Sequence, residues 1–203
     1  MDIDPLDTRD VDGTEYRVYL EQDSDCENPR ESGDAQVGRI VCVRSPRYLR
    51  PEESGDNVSA SLVQSAIDDH SFRVVARWLR LFYGASTVLP LYSGGDDRPS
   101  AGDLTDSPDA GDYIGVTFDQ PSTRRTTGVD NLEDIPTALS VEVDEFGEWA
   151  RGETYGYVIE RRDESEFGEW EQVTSVWGFI GDDYARTEAM HAFDAECSAL
   201  GER

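Results

Sequence analysis

His70 and His191 are the only two imidazoles in the sequence, and each stands near a carboxylate: Asp68-Asp69 before the first, Glu188 before the second. A histidine beside an acid is the pairing that general bases and many metal ligands share. Neither has the second histidine of an HxH or HExxH spacing. They therefore read as a helix-end residue (His70) and a half-buried helix residue (His191). Asp96, Asp97, Asp103, Asp106, Asp109 and Asp112 offer oxygen donors for a hard cation, yet lack the EF-hand order and its closing glutamate, so a solvated acidic loop is the simpler reading. Cys42 stands in an apolar run, where a thiol's pKa rises and its nucleophilicity falls. No GxSxG elbow, Walker loop or GxGxxG is present.

Aromatic residues concentrate instead around one stretch, Gly152–Gly181: Trp149, Tyr155, Tyr157, Trp170, Trp177 and Phe179. A base-stacking platform would need a basic groove, and the local cations are only Arg161 and Arg162. The aromatics read as packing, with Trp170 near a hairpin tip as the candidate anchor for a protein partner, flanked by Glu166 and Glu169. Arg30, Arg39, Arg44, Arg47 and Arg50 form a denser basic region, which pairing with the chain's own acids explains.

The element that positions these aromatics is a β-hairpin. Thr154–Arg161 and Gln172–Ile180 are rich in β-branched and aromatic residues and alternate in polarity, with a polar connector between them. Glu15–Gln22, Arg39–Arg44, Thr87–Tyr92 and Tyr113–Asp119 read as further strands. Pro90 points the third of these to an edge or a bulge. Arg39–Arg44 is nearly all apolar, which suits burial on both faces.

Helices are expected at Ala60–Asp68, at Ser71–Tyr83, at Ile135–Ala150 and from Asp183 to Ala199. The second carries a stripe of Phe72, Val75, Ala76, Leu79 and Phe82. The last has Tyr184, Thr187, His191 and Ala195 along one flank. Residues 1–13 read as a flexible acidic tail; Ser93–Gly111 and Gln120–Gly128 read as loops. Residues 14–203 then form a single α+β domain, with a mostly antiparallel sheet around the central long hairpin and helices mainly on one face.

Composition sets the habitat. The chain of 203 residues has 44 acidic residues against 18 basic ones, a net charge of −26. All the basic residues are arginine, because there is no lysine. Salt at molar concentration shortens electrostatic screening to a few ångströms, so a carboxylate-rich surface is tolerated there. Acid excess without lysine resembles the proteins of extremely halophilic archaea. Direct binding to nucleic acid is not expected, although rows of carboxylates could imitate phosphates. Cys26, Cys42 and Cys197 form no CxxC and indicate neither a disulfide framework nor a zinc site. The opening residues show no signal peptide, and no apolar run reaches the roughly 20 residues of a membrane span. A cytoplasmic protein without a cofactor is expected.

The segments CENPRE (26–31), GRIVCVR (38–44), LPLY (89–92), GDYIGVTFD (111–119), RGETYGYVIE (151–160) and VWGFIGDDYA (176–185) occur in this order. Together they resemble an uncharacterised family carried by tailed viruses and mobile elements, with YGYVIE and WGFIG the most specific parts. Where the family pattern would place a histidine in a DHSG-like segment after LPLY, this chain has Tyr92-Ser93-Gly94-Gly95-Asp96-Asp97. The resemblance implies a virus or provirus setting and assigns no site residue. The expected function is that of a non-enzymatic accessory protein acting through an unknown host or viral protein partner. The competing expectation is a metal-dependent enzyme using the clustered carboxylates.

Overall fold

A computed structural model describes residues 3–31, 36–43, 72–93, 99–102, 113–129, 131–163 and 168–201. The chain is α+β and its strands pair antiparallel throughout, in two four-stranded sheets. The expected single sheet is thus divided. One compact unit holds residues 1–27 and 152–203, and the other holds residues 28–151.

In the first unit, β1 (Asp7–Val11), β2 (Thr14–Gln22), β7 (Thr154–Asp163) and β8 (Glu171–Ile180) lie in the order β1-β2-β7-β8. The long hairpin is present, with β7 inside the sheet and β8 at its rim. Helix α4 (Asp182–Gly201) covers one face. Tyr16 and Val18 of β2 and Tyr157 and Ile159 of β7 bury against Ala189 and Phe193 of that helix. The buried helix positions Ala185, Ala189 and Phe193 recur every four residues, and alanine lets the helix approach the sheet closely. The flank of Tyr184, Thr187, His191 and Ala195 faces outward, so His191 is exposed rather than half-buried as expected.

Residues 7–11 correct the expectation of a flexible tail. β1 pairs with β2 from Asp7↔Val18 to Val11↔Thr14, turning at Asp12 and Gly13, which both take positive φ. Leu6 and Val11 pack on the core, and Arg9 reaches the helix, placing its guanidinium 4.9 Å from the Phe193 ring centre and 2.7 Å from Asp194.

In the second unit, β3 (Gly38–Cys42), β6 (Tyr113–Asp119), β4 (Val88–Ser93) and β5 (Pro99–Ala101) lie in the order β3-β6-β4-β5. Helices here cover both faces. Val41 packs with Val75, Ala76 and Leu79 of α1 (Phe72–Tyr83), whereas its neighbours Ile40 and Cys42 pack with Val143 and Phe146 of α3 (Ile135–Ala150). Successive strand residues face opposite sides, so β3 is buried twice over, as its unbroken apolar run predicts.

β4 lies inside the sheet rather than at its edge, but its pairing with β6 is irregular between Leu91 and Tyr92. Of the two outcomes expected from Pro90, the bulge is therefore the one found, one residue further on. Pro90 pairs with Val116 of β6, and its carbonyl accepts Gly102 N at 3.0 Å on the β5 side. A strand residue directs its N–H and C=O to the same side, so the missing donor falls where β5 has already ended.

Two further elements replace expected loops. β5 pairs Ala101 with Leu91. Helix α2 (Pro121–Thr127) starts on a proline and stops at Gly128 in the left-handed region. Glu142 of α3 ties down the start of β3, accepting Val37 N at 2.5 Å and Gly38 N at 2.9 Å, with Arg30 alongside at 3.4 Å. Arg30 and Arg39 are thus held within the unit, Arg39 donating to Gln120 at 2.9 Å.

Candidate interaction site on the hairpin sheet

Because Tyr16, Val18, Tyr157 and Ile159 face α4, the residues between them face the other way. That side of the sheet carries Glu15, Arg17 and Tyr19 from β2, and Gly156, Val158, Glu160 and Arg162 from β7. The register sets Arg17 opposite Glu160, Tyr19 opposite Val158 and Glu15 opposite Arg162. Opposite charges therefore meet directly across the strands.

Arg17 donates from Nε at 2.8 Å and from its terminal nitrogen at 2.6 Å, both to Glu160 Oε2. Tyr19 donates its hydroxyl to Glu160 Oε1 at 3.3 Å. Burial first, and then the Glu160 charge, push the Tyr19 phenol above its ordinary pKa. Arg162 is fixed by Glu15 at 2.6 Å.

Trp170 is placed between these two cations. The Arg17 guanidinium lies 3.9 Å from the Trp170 ring centre and that of Arg162 lies 4.7 Å away. The indole is half-buried, adjacent Glu169 is exposed, and Glu166 lies outside the described residues. Trp170 thus clamps the residues just before β8 onto the sheet. Trp170→Ala is expected to lower stability by about 1–2 kcal/mol, with Trp170→Phe recovering part of it, read by urea titration in molar salt.

The more open aromatic is Trp177, 45% exposed at the rim. Its ring lies on Gly156: a Cβ there would come within 2.3 Å of Trp177 Cε3. Only glycine leaves that seat, which explains the Gly in YGYVIE. Neighbouring Gly178 has a φ of 91° and donates its N–H to Asp23 Oδ2 at 3.0 Å, fixing the bulge that turns Trp177 onto this face. Val176 beside it is also exposed. Trp177 therefore stands exposed on the face that also carries Trp170, Arg17, Tyr19 and Glu160, where the Arg17 and Glu160 side chains are only 15% exposed and hold Trp170 in place. Tryptophan is among the residue types enriched at protein interfaces.

Comparison with protein-family models, with curated proteins and with solved structures gave no match.

The other candidates give no site among the described residues. His70 and the carboxylates Asp96, Asp97, Asp103, Asp106, Asp109 and Asp112 lie outside the described residues, as does the expected helix at Ala60–Asp68. Among the described residues no group of three or more His, Cys, Asp or Glu side chains could hold a metal ion. Cys42 is fully buried, and burial pushes the Cys197 thiol above its ordinary pKa. No described helix is long and apolar enough to cross a membrane. Trp170, expected as an exposed anchor at the hairpin tip, is half-buried against its own arginines. The exposed aromatic is Trp177, expected as packing, for which the signal was a glycine in β7 facing a bulky aromatic across the hairpin.

Proposed function

We propose that this chain is a non-enzymatic accessory protein of a haloarchaeal virus or provirus, working inside the host cell through protein contacts. The observation that carries this reading is Trp177, seated on Gly156 at an open rim and on the same sheet face as the Arg17–Trp170 pair. An exposed indole held in place by glycine and a bulge is pre-organised, so little ordering entropy is lost when a partner covers it. The setting rests on the lysine-free acid excess and on the YGYVIE and WGFIG resemblance.

The test is a tagged pull-down from haloarchaeal lysate in molar potassium chloride, run in parallel with wild type and Trp177→Ala. One stoichiometric host protein, retained by wild type and weakened about tenfold or more by the substitution, is the expected result. A partner held equally by both chains would move the interface elsewhere. A nucleic-acid enzyme competed off by DNA would replace this reading with acidic mimicry.

A further inference from the structure

Helix α1 departs from the charge pattern of the whole chain. Its sequence FRVVARWLRLFY carries three arginines and no acid, in a protein with 44 acidic residues. Arg73, Arg77 and Arg80 are exposed and make no ion pair among the described residues. The arginines of the other unit behave differently: Arg9, Arg17, Arg161, Arg162 and Arg186 each hold a carboxylate. Nor does the helix itself explain Arg73, since a cation in the first turn opposes the positive end of the helix dipole.

Beside the arginines runs an apolar row. The expected stripe places Phe82 in the core, but it is 72% exposed, with Leu81 at 70% and Val74 at 60%. Half-buried Trp78 links them, its ring centre 5.6 Å from that of Phe82. Val75, Ala76 and Leu79 take the inward face. At about 100° per residue, Arg73, Arg77 and Arg80 occupy one flank of the outward face, and Val74, Trp78, Leu81 and Phe82 the other. Three cations thus span about 10 Å of helix, parallel to a row of large apolar side chains.

We propose that α1 docks an acidic amphipathic segment of another protein, whose apolar anchors cover Val74, Leu81 and Phe82 while its carboxylates pair with Arg73, Arg77 and Arg80. This surface belongs to the other compact unit and is independent of the Trp177 reading. Charge complementarity selects the occupant. A nucleic-acid backbone has no apolar counterpart for Val74 and Leu81. A flat anionic bilayer would press the surrounding carboxylates of a chain of net charge −26 against its headgroups along with these arginines, a contact-range repulsion that salt does not remove, whereas a short segment meets only the local cations. A second copy, docking antiparallel through the same apolar row about a two-fold axis, would bring both arginine rows to the same side, like against like.

The probe is a labelled peptide of about 15 residues, with leucines at helical spacing and glutamates at i, i+4 and i+7 on the adjoining flank. Fluorescence anisotropy against the full chain, in salt that preserves its circular dichroism, is expected to give saturable binding. The triple variant R73Q/R77Q/R80Q should weaken it about tenfold, and Leu81→Ser at least as much. Both sites are exposed, so the fold is retained. A peptide with glutamine for glutamate should lose the same factor. Equal binding of the glutamine peptide, or no binding of either, would overturn the proposal. Preferred binding to phosphatidylglycerol vesicles would overturn it too, as would self-association in sedimentation that Leu81→Ser abolishes.

Discussion

Asp119→Ala is expected to destabilise the unit of residues 28–151 by about 3–5 kcal/mol. Asp119 ends β6 and is fully buried. Its Oδ1 accepts Ser86 N at 2.9 Å and Thr87 N at 2.6 Å, and its Oδ2 accepts the Ser86 hydroxyl at 2.8 Å. Arg124 Nε lies 3.0 Å from Oδ2 but off the hydrogen-bond direction, so it contributes charge rather than a directed bond. Alanine would remove the acceptor of two backbone donors and the counter-charge of a poorly hydrated guanidinium together, while the Ser86 hydroxyl, on an exposed residue, can turn to water. Desolvation then goes uncompensated, which costs more than the interactions themselves contribute. The amide introduced by Asp119→Asn keeps the two backbone acceptances but turns a donor toward Arg124, so this variant should fall between the wild type and Asp119→Ala. Urea titration in molar potassium chloride decides this; a loss under about 1 kcal/mol for Asp119→Ala would mean that water replaces the carboxylate.

Gly115→Ala is expected to cost a comparable amount, at least about 3 kcal/mol, by a different route. Gly115 lies opposite Cys42, and a Cβ there would sit 2.1 Å from Val41 O and 3.0 Å from Cys42 Cα. Both atoms are backbone, so no side chain can swing away. β3 and β6 must part, and the two cores that share β3 loosen together. Amide hydrogen exchange should show protection lost at residues 39–42 and 114–118 first. Unchanged protection there would show that the strands shift without separating. Gly156 offers the contrast, because its added Cβ meets only the Trp177 side chain, which it would push out of its seat toward solvent, rather than backbone.

The sequence made the β7–β8 hairpin legible because alternation there is strong and aromatic: Tyr157 and Ile159 turn inward, and Glu160 and Arg162 outward. Helix α3 was legible to the residue, since Leu139, Val143 and Phe146 recur at helical spacing and Pro136 fits its start. β1 was not, because DTRDV is an edge strand anchored mainly by its ends, and its polar middle resembles a tail. α2 contains no apolar residue beyond its opening proline and buries none, so periodicity had nothing to report. In α4 the core face is built of alanines around Phe193, a face with too little hydrophobic contrast for the sequence to single out, so His191 was misplaced as half-buried. Trp170 was found by type, but its two arginine neighbours come from β2 and β7, and only the register brings them together.

The unit of residues 28–151 interrupts the other one, entering after β2 and returning just before β7. During synthesis β1 and β2 emerge early and pair as a local hairpin, but the strand that completes them does not exist until residue 154 has been made. Closing that long loop costs entropy before any β2–β7 bond forms, whereas the inserted unit is already whole. The order of completion is therefore written into the connectivity: middle first, ends last. Until the ribosome has delivered β7, the edge of β2 that β7 will cover has no strand partner, and charged residues on β2 such as Glu15 and Arg17 are of the kind that disfavours pairing with a neighbouring chain.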